Sequence, residues 1–255
     1  MLIAVDIGNT NVTVGILKGT EMIRSFKFST SLLESKAKAA RAIKDGFSSY
    51  PSESRAAEAV YACSVVPGLN KNAADVLQAF FKKGVAFVGS GVIVPIINRY
   101  RIPDQVGQDR LVNAYAALKI YGPGLVIVDF GTAITFDIVS KKREYIGGII
   151  VPGLKLMQEA LHKKTALLPY VELSRPIEII GRDTVSSIRA GIVYGIASLC
   201  DGVIDRLLKK ECKGFKVIAT GGDIHLIKPY SVYLSTVEES LILKGLAFIY
   251  KSQRN

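Results

Sequence analysis

The sequence predicts a mixed α/β protein built as two similar lobes, and two observations predict it. The stretch Asp6-Ile7-Gly8-Asn9-Thr10-Asn11-Val12-Thr13 follows an apolar run, Leu2 to Val5, and leads into the alternating Val12, Val14 and Ile16. The same strand, aspartate–glycine turn and strand recur where Leu125 to Val128 lead into Asp129-Phe130-Gly131-Thr132-Ala133-Ile134-Thr135. Each turn also opens a run of three strands followed by alternating helix and strand. That order, given twice, makes two mixed sheets, each read as five-stranded with flanking helices.

The elements follow from local pattern. Residues 2–6, 12–17 and 22–28 read as a meander of strands. Leu33, Ala37, Ala40, Ile43 and Phe47 then recur at helical spacing, which predicts a helix with one buried face. Residues 59–63 and 85–88 read as buried strands, and Leu69, Ala73, Val76, Leu77 and Phe80 between them as an amphipathic helix. A helix from Asp109 to Tyr121 stops at Gly122-Pro123. The order restarts with strands at 125–129, 133–139 and 144–151. After an insertion come a long helix over 184–209, a strand at 217–219 and a closing helix at 241–250. The expected lobes are 1–122 and 123–255, meeting at Gly122-Pro123-Gly124.

Composition bounds the function classes. The chain has 255 residues, 49% of them hydrophobic, enough for a substantial core. Asp6 interrupts the first apolar run and no basic segment precedes it, so no leader is expected. No uninterrupted apolar run approaches the roughly 18 residues of a spanning helix. Cys63, Cys200 and Cys212 form no CxxC pair, and their odd number argues against a disulfide framework. A cytoplasmic protein without membrane association is expected. The net charge of +11 is spread in short clusters such as Lys141-Lys142-Arg143, without interleaved aromatics. It reads as solvated surface, and no nucleic-acid partner is expected.

No GxxxxGK[ST] loop, dinucleotide fingerprint or GxSxG elbow is present. His162 and His225 have no ligand spacing for zinc. Chemistry therefore falls to carboxylates, hydroxyls and backbone donors. Asp6 can orient Mg²⁺ through water. Gly8 lets backbone approach a phosphate, and Asn9, Thr10, Asn11 and Thr13 offer donors. A hairpin whose Asp and Asn satisfy their own turn is the plainer alternative. By residue type alone Asp109 caps the helix that begins there, Arg110 makes a surface ion pair or steadies a phosphate, and Thr184 caps the long helix.

The two aspartate–glycine turns, with Ala219-Thr220-Gly221-Gly222-Asp223 after a late strand, resemble the acetate and sugar kinase/Hsp70/actin superfamily. Tyr100, Gly107-Gln108-Asp109-Arg110, Gly147-Gly148-Ile149-Ile150-Val151-Pro152-Gly153 and Ile180-Gly181-Arg182-Asp183-Thr184-Val185, leading into Gly191 and Gly195, sharpen this. The ordered set resembles the type III pantothenate kinases from Asp6 to about Gly245. The resemblance implies an actin-like fold and ATP-dependent phosphorylation of pantothenate to 4'-phosphopantothenate, the first step toward coenzyme A. It implies that Asp6, Ile7, Gly8, Asn9, Thr10, Asn11, Val12, Thr13 and Thr132 contact ATP. Tyr100, Gly107, Gln108, Asp109, Arg110 and Thr184 would surround pantothenate, with Asp109 as general base. Asp129 would hold a monovalent cation, K⁺ or NH₄⁺, although a turn residue or a magnesium ligand are its other readings. A homodimer with the active site near the subunit boundary is implied, while Gly191 and Gly195 alone read equally as internal packing. Gln108 stands where the family commonly has alanine, and Ile102 where an asparagine often precedes the proline. A kinase for another hydroxyl acceptor and a non-catalytic regulator of the same fold are the rival expectations.

Overall fold

The computed structural model describes residues 1–48 and 56–254. The chain forms two compact units: Met1–Ile120 with the chain from Ser240 onward, and Tyr121–Glu239.

In the first unit β1 (Leu2–Ile7), β2 (Asn11–Lys18) and β3 (Glu21–Ser29) form the expected antiparallel meander. After α1 (Lys36–Gly46), β4 (Ala59–Ser64) joins β1 in parallel. After α2 (Asn70–Phe81), β5 (Val85–Val88) and the two-residue β6 (Gly91–Val92) extend the parallel side. The order is β3-β2-β1-β4-β5-β6. This is one strand more than expected, because Gly91 and Val92 pair with β5 across a turn too short to register as a strand in the sequence. A further short strand, β7 (Ile97–Asn98), precedes α3 (Gln108–Tyr121).

Strand alternation sets the core. Ile3, Val5, Ile7, Val12, Val14 and Ile16 face one side and pack with Ile43, Phe47, Ala73, Val76, Leu77 and Phe81 from the two helical segments. The face of α1 differs from the one its spacing predicts: Ala39 and Ile43 are buried, whereas Ala37 and Ala40 are exposed. A tighter 3₁₀ turn over Thr30–Glu34 holds Leu33, so the α-helix begins only at Lys36 and its phase is reset.

The second unit repeats the plan with β8 (Leu125–Phe130), β9 (Ala133–Val139), β10 (Glu144–Pro152) and, parallel to β8, β11 (Lys216–Gly221). The bridge between Ala219 and Val237 adds a one-residue parallel neighbour to β11. Val126, Val128, Phe130, Ile134, Phe136 and Ile138 pack with Leu154 of α4 (Leu154–Lys164) and with α5 (Thr184–Lys210). The short α6 (Ile224–Ile227) follows β11. Among the described residues α5 is the helix long and apolar enough to cross a membrane by length and composition. Its apolar side chains, Ile188, Ile192, Val193, Ile196 and Ile204 among them, serve the core of this unit.

The first crossing between units falls at Ile120–Tyr121, and the closing helix α7 (Leu241–Ser252) belongs to the first unit. It packs on the first unit: Leu243 lies against Gly15 of β2, Gly245 against Val112 of α3, and Tyr61 Oη donates to Gln253 Oε1 at 2.6 Å. Its apolar face completes the side of the first sheet opposite α1 and α2. All three cysteines are buried free thiols.

Candidate active site

Asp6 stands at the end of β1, opposite Thr13 on β2 and beside Cys63 on β4. The turn after it closes with the Gly8 N–H donating to Asn11 O at 3.0 Å. Asn9, Thr10 and Asn11 are exposed and Thr13 half-buried, whereas Ile7 and Val12 are buried in the core. At these two positions only backbone is left at the turn. Thr30, which the motif does not point to, braces this turn: its Oγ1 donates to Gly8 O at 2.7 Å and its N–H to Thr10 O at 3.0 Å.

Asp109 lies in the first turn of α3, one residue inside its start, so it does not cap the helix. Its Oδ1 accepts the Arg110 N–H at 2.9 Å. Burial pushes its carboxyl above the ordinary aspartate range, against the pull of that amide and of the Arg110 guanidinium. Gly107 makes room for it, since a Cβ there would come within 2.5 Å of Asp109 Oδ1. Gln108 lies across Gly89, whose missing side chain leaves the space its stem fills. Arg110 is buried, which removes the surface ion pair as its role. Asp6 and Asp109 share a neighbourhood. Burial pushes the Cys63 thiol well up, and the charges of both carboxylates add to the effect. Tyr100 is half-buried beyond β7, its N–H held by Asn98 Oδ1 at 2.9 Å.

In the second unit Asp129 ends β8 opposite Thr135, as Asp6 ends β1 opposite Thr13. The turn here is one residue shorter, closed by the Gly131 N–H on Ala133 O at 3.2 Å. Thr132 is exposed at its tip, and its carbonyl accepts the Gly153 N–H at 3.1 Å. Gly221 of the late glycine pair lies against this turn with φ +97°, and a Cβ there would meet Phe130 N at 2.5 Å and Asp129 Oδ1 at 2.6 Å. The backbone thus forms a cradle beside the Asp129 carboxylate that any other residue would fill. A carboxylate in a cradle of this kind fits an oxygen-ligated cation.

Thr184 is exposed at the first position of α5. The cap is Asp183, not Thr184: Asp183 Oδ1 accepts the Ser186 N–H at 2.9 Å, and the Ser186 hydroxyl oxygen accepts the Asp183 N–H in return. Those bonds hold the Asp183 carboxyl below its usual range. His162 sits against Leu168 O and His225 against Glu239, both as local contacts.

Two lobes of one topology, each presenting an aspartate–glycine turn, define an actin-like fold. The solved (R)-2-hydroxyglutaryl-CoA dehydratase component A of Acidaminococcus fermentans shares this fold, with a TM-score of 0.60 at 12% identity, covering 100% of this chain and 99% of that one. Residues 2–206 match the type III pantothenate kinase model, and the chain belongs to that family. It is 38% identical to the type III pantothenate kinase of Myxococcus xanthus over 98% of both chains. To that of Citrifermentans bemidjiense it is 40% identical over 100% of both. It is a kinase that phosphorylates pantothenate in coenzyme A biosynthesis, with ATP as donor and a divalent cation.

Proposed function

We propose that Asp109 is the general base that takes the proton of the pantothenate hydroxyl as its oxygen attacks the γ-phosphate of ATP. The observation that carries this reading is a buried carboxylate with an upward-shifted pKa, given space by Gly107 and sharing the Cys63 neighbourhood with Asp6. Transfer of this kind needs alignment and charge neutralisation more than covalent help, and a base works best with its pKa moved toward the working pH. The backbone of residues 6–13 and Thr132 receive the phosphates. Asp6 would hold Mg²⁺ through water, and the ion would supply charge neutralisation at the phosphates. Tyr100, Gly107, Gln108, Arg110 and Thr184 orient pantothenate, Arg110 by its fixed fork of donors. Asp129 would hold a monovalent cation, K⁺ or NH₄⁺, and the missing side chain of Gly221 leaves room beside its carboxylate.

The enzyme works as a cytoplasmic homodimer. Thr184, Ser187, Gly191, Gly195, Ser198 and Gly202 recur at helical spacing along α5, all exposed, and a Cβ at any of the three glycines would meet nothing within 4 Å. This open space favours a smooth face for a second copy over internal packing, the other reading of Gly191 and Gly195.

The test is Asp109→Asn. Phosphorylation of pantothenate falls by about a hundredfold or more, while ATP binding measured by calorimetry stays near wild type. Near-normal turnover by the variant overturns the assignment. Replacing potassium with sodium lowers turnover of the wild type but not of Asp129→Asn, which is already slow; indifference of the wild type to the cation overturns the Asp129 reading.

A further inference from the structure

Behind the second turn lies a hydroxyl–carboxylate chain to which the phosphoryl transfer described above gives no part. Asp137 on β9 is wholly buried. Its Oδ2 accepts the Thr135 hydroxyl at 2.9 Å and its Oδ1 the Tyr145 hydroxyl at 2.8 Å. Burying a carboxylate is costly and is tolerated where hydrogen bonds compensate. The first lobe does without one. Gly15 holds the equivalent place, two residues after Thr13, and its neighbours are the apolar Leu243 and Met22. The meander itself therefore does not call for an acid at this position.

Thr135 connects this chain to the turn. It faces Asp129 across the β8–β9 ladder, and directly opposed residues project from the same side of a sheet. A threonine hydroxyl has one proton and two lone pairs. With the proton given to Asp137, what Thr135 presents elsewhere is acceptor only. An acceptor-only oxygen next to a carboxylate repels anions and suits a cation with oxygen ligands. Thr135 is half-buried rather than sealed, so its oxygen is reachable from the turn.

On the reading that Asp129 holds a monovalent cation, we propose that Thr135 Oγ1 is a second, neutral oxygen ligand for that ion. Asp137 and Tyr145 are positioning residues that keep the hydroxyl turned as an acceptor. One carboxylate and a neutral oxygen match a single positive charge, where a second carboxylate at the ion would leave excess negative charge beside the phosphates. Partners behind a metal ligand that fix its orientation commonly carry 10–100-fold in affinity, as an order of magnitude.

The experiment titrates thallium(I), a potassium stand-in, into the full-length protein with magnesium and a non-hydrolysable ATP analogue, followed by thallium NMR. Wild type binds the ion, and potassium displaces it more readily than sodium. Thr135→Val and Asp137→Asn each weaken binding by about tenfold or more, while Thr135→Ser, which keeps the hydroxyl, stays near wild type. Circular dichroism checks folding. Should Asp137→Asn fail to fold, the valine and serine variants at Thr135 decide alone. Thallium binding by Thr135→Val equal to wild type, with Asp129→Asn having lost it, overturns the proposal and leaves the Asp129 reading intact. No thallium binding by wild type overturns both.

Discussion

Burial is the largest influence on the Asp109 carboxyl, and it outweighs the Arg110 amide and guanidinium that pull the other way. Two measurements follow from the sign of that shift. The acid limb of kcat/KM titrates above the ~3.9 of an ordinary aspartate, since the base must be ionised. The folded-state pKa also lies above the unfolded one, so the ionised side chain costs stability once pH has risen through the folded value. Asp109→Asn therefore melts at a higher temperature than wild type at neutral pH, and the gain disappears as pH falls below the unfolded value. A variant that melts lower at neutral pH would show that the carboxylate is not strained by its surroundings. Residue type alone reads Asp109 as a cap; only its place inside the helix and its burial show that it is not one. The opposite confusion arises at Asp183 and Thr184. Both are good capping residues, and adjacent positions of one segment differ in backbone angles that no composition reveals.

The turns are legible as elements because aspartate, glycine and flanking apolar alternation lie within a few residues of one another. What braces them is not, because Thr30 reaches the first turn from the 3₁₀ segment after β3 and Gly221 reaches the second from β11. Thr30→Val keeps the shape but removes the bond to Gly8 O, at a cost of about 1–2 kcal/mol in denaturant unfolding, and it weakens ATP binding at the first turn. Gly221→Ala meets both a left-handed backbone and a collision with Phe130, and it costs on the order of 2 kcal/mol or more. Unchanged stability in either variant would mean the neighbouring backbone yields more easily than these contacts imply. The face of α1 departs from its apolar spacing for a related reason: the 3₁₀ turn over Thr30–Glu34 shifts the phase by means of hydrogen bonds, which the spacing does not carry.

At the scale of the molecule, the repeated meander makes two lobes readable, and the exposed small-residue face of α5 carries the dimer prediction. Gly195→Arg sits at ordinary helical angles and replaces a poor helix former, worth about 1 kcal/mol against alanine, so the subunit keeps its fold. Light scattering after size exclusion is the test, with a dimeric wild type and a monomeric variant as the expected result. A dimeric variant would move the interface to another surface. The membership of α7 cannot be read from its own pattern. An apolar helical face says that it is covered, not which of two similar sheets covers it.

Because α7 completes the first unit, the chain finishes what it began only after a detour. Tyr121 at the start of that detour feels the charge of Glu238 at its end, so the second unit is a closed excursion with neighbouring ends. During synthesis from the N-terminus, all of the second unit has left the ribosome before the first receives its last helix. A chain cut short at Glu239 would carry a whole second lobe and a first lobe with one bare sheet face, so losing α7 would damage the part of the protein made earliest.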